Sequence, residues 1–369
     1  MKFSVSSVEL QRNLANIGGV IPQKSTLPIL ENFYFNVYGD TLDITATDLE
    51  ISMTVHLKVK GSSDGKIVVP AKRLLETIRA LPSTDLTFKS DPNTHKIEMT
   101  TQNGQYKLTG ESTDNYPTIP EYTGQNELVL SADELRRLIG KTEFAVSKDE
   151  LRPAMNGILL QIGKKELRAV STDGHRLVRF INNSFSSSKD ADVIIPVKAL
   201  SLVAKCLAGD SKILFNDTHI LFSLDNITLI SRIIEEKYPN YDSVIPLEND
   251  KKMVVDKNQI LSSVRRAALY ASSTTHLVRF SLSKGSITIS AEDIDFGSEA
   301  RETLSCEFSH EPMEIGFNSL YMIDILSHID TDEALFMFSS SSRAAIVKPV
   351  TQRNGEDILM LVMPVRLNI

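Results

Sequence analysis

SADELRRLIGKTEFAVSK (131–148) reads as an amphipathic helix, and the chain runs on through the strand-like GILLQI (157–162) into ELRAVSTDGHRLVRF (166–180). This stretch decides the fold because it is one of three copies. Ser131-Ala132-Asp133-Glu134-Leu135 has a counterpart 125 residues earlier, Ser6-Ser7-Val8-Glu9-Leu10, and another 125 later, Asp256-Lys257-Asn258-Gln259-Ile260. Repetition at a fixed period marks a chain built from one supersecondary unit used several times. Each segment pairs Ser or Asp with Glu or Gln three positions on, the capping-box spacing that satisfies free N–H groups at a helix start. The apolar register repeats as well: Leu10 and Leu14, Leu135 and Ile139, Ile260 and Val264. Spacing of i, i+4 gives one buried helical face.

Further blocks follow in the same order. Asn32–Val37 aligns with Gly157–Ile162 and with Leu277–Leu282, and each precedes a hairpin partner: TLDITATD (41–48), ELRAVSTD (166–173) and SITISAED (286–293). Their alternation fits half-buried strands. VVPAKRLLETIRAL (68–81), IIPVKALSLVAKCL (194–207) and IGFNSLYMIDILSHI (315–329) read as a second helix. Three more strand-like runs complete each copy, and Tyr116-Pro117…Ile119-Pro120, Tyr238-Pro239…Ile245-Pro246 and Met363-Pro364 close them. The copies occupy 1–125, 126–250 and 251–369. Strands set around two helices predict an α+β class with mostly antiparallel pairing. Three such domains could pack in a line, as a globule, or as part of a ring that a cyclic dimer closes by symmetry; the repeat does not choose.

The 369 residues carry 40 Lys and Arg against 47 Asp and Glu, a formal charge of −7, so any nucleic-acid surface must be confined to one face. No apolar run is long enough for a membrane span. MKFSVSSVEL lacks the apolar core of a secretory signal. Cys206 and Cys306 fit no metal or redox spacing, which predicts a reduced, cytoplasmic protein with no cofactor. Cations collect on the helices: Arg136, Arg137 and Lys141 with Lys148 beyond; Lys257, Arg265 and Arg266; Lys72, Arg73 and Arg79; Lys198 and Lys205. The third copy of the second helix departs, with Asp324 and no Lys or Arg. Any one such helix is ordinarily a solvated face. Repetition on equivalent helices of an acidic chain points instead to one basic surface meeting a phosphate backbone, indifferent to sequence.

Ser171, Asp173 and His175 lie close enough to suggest a hydrolase, yet triads assemble in space and rarely from neighbours. The equivalent turns, Ala46-Thr47-Asp48 and Ala291-Glu292-Asp293, carry the same acid, so Asp173 belongs to the repeat. Gly174-His175-Arg176-Leu177 does not, and a binding role fits it better. Phosphate-cradling and zinc-binding motifs are absent from the sequence. The apolar C-terminal run Leu361–Ile369 reads either as a core strand or as the wall of an apolar groove, where flexible Met suits several partners.

MKFSV, TLPILENF, ATDLE, STDGHRL, the YPNY…VIP turn, MEIGFN and the terminal VMPVRL together resemble the bacterial sliding clamp, the β subunit of DNA polymerase III, over the whole chain. The resemblance implies a DNA-clamp fold: a head-to-tail homodimer closing a ring of six domains around duplex DNA, helices inside and sheets outside. It implies a non-catalytic processivity factor that tethers the replicative polymerase. The clamp loader and other polymerases and repair proteins would dock by short peptides. By similarity the peptide groove would use Met155, Thr172, Gly174, His175, Arg176, Leu177, Pro239, Val244, Leu361, Met363, Pro364, Val365, Arg366 and Leu367. DNA contacts would come from Lys24, Arg73, Arg79, Arg137, Lys141, Lys148, Arg152, Lys198 and Arg266, and dimer contacts from Tyr106, Leu108, Leu269 and Tyr270. Three features depart from the family pattern: Asn368 and Ile369 extend past the usual final Leu, Ser243 stands where a basic residue is expected, and His276-Leu277 replaces a Gly-containing turn.

Overall fold

The computed structural model describes residues 1–119, 122, 126–187 and 189–367; Pro120 of the first closing motif, the boundary residue Gln125, and Asn368 and Ile369 lie outside the described residues. The first copy runs β1 (Lys2–Ser6), α1 (Ser7–Ile17), β2 (Asn32–Tyr38), β3 (Thr41–Thr47), β4 (Ile51–Lys58), β5 (Lys60–Ser63), β6 (Gly65–Pro70), α2 (Ala71–Ala80), β7 (Asp85–Ser90), β8 (Lys96–Thr100) and β9 (Gln105–Thr109). The second runs β10 (Asn126–Leu130), α3 (Ala132–Thr142), β11 (Gly157–Ile162), β12 (Leu167–Thr172), β13 (Arg176–Asn182), β14 (Ala191–Pro196), α4 (Val197–Cys206), β15 (Ser211–Phe215), β16 (His219–Leu224) and β17 (Ile227–Arg232). The third runs β18 (Lys251–Asp256), α5 (Lys257–Ala268), β19 (Leu277–Ser283), β20 (Ser286–Asp293), β21 (Ser298–Ser305), β22 (Glu307–Phe308), β23 (Met313–Asn318), α6 (Ser319–Ser327), β24 (Glu333–Phe338), β25 (Ala345–Pro349) and β26 (Glu356–Val362).

Two local expectations change. Each copy opens with a strand before its first helix, and the second helix begins only after a strand that includes VVP, IIP or IGFN. Pro70 and Pro196 stand at the N-caps because proline ends a ladder, having no N–H to give it, and its fixed φ suits a helix entry. The capping box also differs between copies. Ser131 and Glu134 exchange bonds of 3.0 and 3.3 Å, and the Asp256 carboxylate accepts from Gln259 N at 2.8 Å. Ser6 makes no side-chain cap; Ser7 instead donates to Pro82 O at 2.9 Å, tying the start of α1 to the exit of α2.

By contacts the chain divides into two compact units, Met1–Ile139 with Ile195–Ile233, and Gly140–Ile194 with Ile234–Ile369. The division cuts through the middle copy because sheets run across the copy boundaries. The first unit holds a five-stranded sheet, β5-β1-β7-β8-β9, and an eight-stranded sheet, β10-β15-β16-β17-β4-β3-β2-β6. The second holds a nine-stranded sheet, β14-β11-β12-β13-β26-β25-β24-β18-β22, and a four-stranded sheet, β21-β20-β19-β23. The pairings at both seams are antiparallel. At β17/β4, Leu229 faces Met53; at β26/β13, Met360 faces Val178. All four of these side chains are fully buried.

Equivalent positions build the cores. In the first unit Phe3, Phe35 and Phe88 pack together, with Phe88 centred 5.1 Å from Phe3 and 5.4 Å from Phe35. In the second, Phe280 and Phe336, the counterparts of Phe35 and Phe88, pack at 6.3 Å with Phe317 beside them. Each fully buried Phe stabilises by about 1.5–3 kcal/mol relative to exposure.

Candidate functional site

The turn between the third and fourth main strands carries the same carboxylate-to-amide bonds in each copy. Asp48 Oδ1 accepts from the backbone N–H of Glu50 and Ile51, Asp173 Oδ1 from His175 and Arg176, and Asp293 Oδ1 from Asp295 and Phe296, all between 2.7 and 3.3 Å. Such Asx turns mimic a backbone turn with a carboxylate. Gly174 follows Asp173 with φ +87, where a side chain would be strained. Ser171 is fully buried and donates to Thr142 O at 2.5 Å. These roles leave Ser171 and Asp173 engaged structurally, and they account for the Ser-Asp-His triplet without catalysis.

Arg176 sets the middle turn apart. It is 9% exposed, and its guanidinium reaches Asp173 Oδ2 at 3.0 Å, Asp324 Oδ2 at 2.5 Å and Phe144 O at 2.7 Å. It lies 4.7 Å from the centre of the Tyr321 ring, within cation–π range. A planar fork of donors suits several acceptors at once. Burial first, and then the Asp173 charge, raise the Tyr321 phenol above its ordinary value. The His175 ring stacks on Tyr321 at 5.9 Å.

The C-terminal segment comes to this turn. Met363 N donates to His175 O and Val365 N to Gly316 O, both at 2.8 Å. Pro364 falls between the two donors, where no N–H is required. Below lies an apolar cluster that includes Leu159, Val170, Leu177, Tyr241, Ile346 and Leu361, with Tyr238 and Ile245 partly buried against it. Of the residues expected in a groove, Met155, Thr172, Arg176, Leu177 and Leu361 are buried and form floor and supports. Gly174, His175, Pro239, Val244, Met363 and Arg366 are exposed; Pro364, Val365 and Leu367 are half-buried. Thr172 Oγ1 closes the turn, donating to Arg176 O at 2.7 Å and accepting from Gly174 N. Ser243 is exposed and donates to Asn240 O at 2.7 Å.

The cations expected to meet DNA divide. Lys24, Arg73, Arg79 and Lys148 are exposed, and Arg137 is half-buried. Arg152 is exposed beside Asp149 at 3.6 Å. Lys198 reaches Asp48 at 2.5 Å, and Arg266 makes two bonds to Glu302 at 2.5 and 2.6 Å. That pairing holds the Glu302 carboxyl below its ordinary range and raises Arg266. Lys141 corrects the expectation of a solvent-facing cation: it is 7% exposed and bonds His328 O and Asp330 Oδ1, both at 2.5 Å. A buried, paired ammonium supports the fold and is not offered to phosphate.

In the first unit β9 is an edge strand, with Tyr106 36% exposed and Leu108 half-buried. In the second unit β21 is an edge strand, and the exit of α5 exposes Leu269 at 82% and Tyr270 at 43%. Among the described residues no group of three or more His, Cys, Asp or Glu is placed to hold a metal ion, and no helix is long and apolar enough to cross a membrane.

Three family models match in chain order: the DNA polymerase III beta subunit N-terminal domain at 1–120, its central domain at 129–240 and its C-terminal domain at 242–366. A curated beta sliding clamp from Pseudomonas aeruginosa is 30% identical over the full length of both chains. The chain belongs to the bacterial β sliding-clamp family. The Chlamydia pneumoniae clamp is 28% identical, again over both full lengths. Among solved structures, the P. aeruginosa clamp bound to griselimycin superposes with a TM-score of 0.93 at 29% identity, and that of Bartonella birtlesii bound to griselimycin with 0.93 at 28%, each covering both chains completely. The three-domain α+β clamp fold is therefore that of the family, and the chain is a non-catalytic processivity clamp of DNA replication.

For a clamp, sequence reading found the turn and the tail but missed what supports them. Tyr321, Asp324 and Phe144 hold Arg176, and Gly316 receives the tail. One signal was visible: α6 alone of the second helices replaces cations with an acid, and that acid is the Arg176 partner. Tyr321 and Phe144 carried no signal, because aromatic residues in or beside a helix read as core.

Proposed function

We propose that two copies of the clamp close head to tail into a ring around duplex DNA, with boundaries between its domains near residues 125 and 250. The observation that carries this is a third seam left open. Strand pairing makes β9 the counterpart of β17 and β26, and β21 the counterpart of β4 and β13. Both completed seams share one register. Carried over to the open edges, it sets Tyr106 opposite Ala300 of the partner subunit and Lys107 opposite the partner subunit's Glu299. The residues equivalent to Tyr106, Leu229 and Met360, are fully buried, whereas Tyr106 is 36% exposed. Burying such a side chain, with Leu108, against Leu269 and Tyr270 of the partner subunit favours association, and an unpaired edge strand is a template for another chain.

Exposed cations, Lys24, Arg73, Arg79, Lys148 and Arg152 with half-buried Arg137, would make transient phosphate contacts, Lys198 and Arg266 contributing once released from their acids. The turn Gly174–Leu177, Pro239, Val244 and the tail Met363–Leu367 form the groove that takes short peptides of the replicative polymerase, the clamp loader and other polymerases and repair proteins. Griselimycin, bound by the clamps of P. aeruginosa and B. birtlesii, is a ligand to try on this chain.

The protein should sediment near twice its 41.0 kDa chain mass. Loaded on nicked circular DNA by the host loader, it should stay in salt and be lost when the circle is cut. Retention on linear DNA at the same salt defeats the topological reading.

A further inference from the structure

After its last strand, each copy sends the chain past the strand that leads into its second helix, and the clasp is the same. Glu111 N donates to Val68 O at 3.0 Å, Ile234 N to Ile194 O at 2.9 Å and Val365 N to Gly316 O at 2.8 Å. The receiving residues occupy one position in the repeat. In the first two copies it carries an apolar side chain, Val68 or Ile194, and both are buried. In the third it carries none. A Cβ added at Gly316 would lie 2.8 Å from Leu367 Cδ2, Leu277 Cδ1 and the carbonyl oxygen of Val365. The side-chain tips could swing aside, but the carbonyl moves only if the C-terminal segment moves. Leu367 therefore occupies space that a side chain at 316 would claim.

We infer that Gly316 is the seat of the C-terminal segment, and so a positioning residue for partner peptides it does not touch. This rests on the tail walling the peptide groove, as proposed above. The segment from Met363 is tied by backbone bonds at two points, His175 O and Gly316 O. Removing one leaves Met363 and Pro364 hinged at the turn alone. The vacancy at 316 thus adapts a clasp shared by three copies so that the third can present an apolar wall beside Gly174–Leu177.

The test installs at 316 the residue of the first copy, Gly316→Val, in the full-length protein. Amide exchange at Val365 reads tail seating. Binding of the host's purified polymerase subunit reads the groove. Exchange in β19 and the solution mass control for fold and dimer. We expect Val365 to exchange at least tenfold faster and polymerase binding to weaken at least tenfold, with β19 and the mass unchanged. A Val365 amide as protected as in the unaltered protein overturns the inference, and so does a released tail with unchanged binding. Deleting Met363–Ile369 in parallel separates the two ideas. If the deletion abolishes binding and Gly316→Val does not, the seat is wrong and the groove stands; if neither changes binding, the groove itself is wrong. Should Gly316→Val disturb β19, Leu367→Ala empties the seat from the tail side. Faster Val365 exchange in that variant then supports the inference, and a Val365 amide as protected as in the unaltered protein overturns it; binding is not its readout, because Leu367 also belongs to the proposed groove.

Discussion

Replacing Arg176 with Met tests how the middle turn is held. Met keeps an apolar stem but removes the guanidinium over Tyr321 and strands two carboxylates and the Phe144 carbonyl. The Asp173 side chain is 14% exposed and the Asp324 side chain 46%. Removing one partner of a buried ion pair costs about 3–5 kcal/mol. The half-exposed Asp324 adds less than about 1 kcal/mol, because solvent screens it. Asp173 also retains its turn amides, so the low end applies, a loss of about 3 kcal/mol. For a unit of this size that lowers the unfolding transition of the second unit by about 6–12 °C. Differential scanning calorimetry reads it, with urea unfolding as a second measure. Asp173→Asn keeps an acceptor for the turn amides but removes the stranded charge, so the double variant should recover about 1–2 kcal/mol of the loss, a coupling in the range seen for contacting residues. A loss below about 1 kcal/mol for Arg176→Met, or no recovery in the double variant, would show that the cluster does not support the turn in this way.

Other outcomes follow from the same geometry. Lys107→Glu should weaken the dimer and a compensating Glu299→Lys should restore it, since opposed cross-strand charges contribute about 0.2–1 kcal/mol; sedimentation equilibrium decides, and additive losses reject the register. Lys141→Ala should cost about 2 kcal/mol by removing the buried ammonium that bonds Asp330 and the His328 carbonyl, with the salt dependence of DNA binding unchanged. Arg79→Ala should leave stability alone and lower that salt slope by about 0.9. The His56 imidazole, hydrogen-bonded by Asp43 at 2.7 Å, is raised above its ordinary 6.5, burial opposing in part. Because the folded value is the higher one, its stabilisation is complete below about pH 6.5 and lost as pH rises through the raised value. The side chain is 44% exposed, so the change stays below about 1 kcal/mol; His56→Gln should flatten the fall in urea midpoint between about pH 6 and 8.

How much was legible depends on the range of the interaction. Leu10, Leu135 and Ile260, each fully buried on the first helix of its copy, follow from spacing, because helix periodicity is local. So does the Asp48, Asp173 and Asp293 turn, where each carboxylate bonds amides two or three residues away. The opening strands β1, β10 and β18 escaped because five or six residues alternate too briefly to stand out, and their pairing partners lie far along the chain.

The sequence by itself therefore determined the threefold repeat, the α+β class, the acidic chain with cations on its helices, and the two stretches that break the repeat. It could do so because capping, periodicity and turn chemistry act over a few residues. Tertiary structure alone decided that Lys141 is buried, that Arg176 is clasped by an acid 148 residues away, that the tail rests on Gly316, and that β9 and β21 end their sheets with one side of each unpaired. Those outcomes depend on which distant segments share a sheet, and burial or pairing of a charge is set by what arrives beside it rather than by what precedes it in the chain.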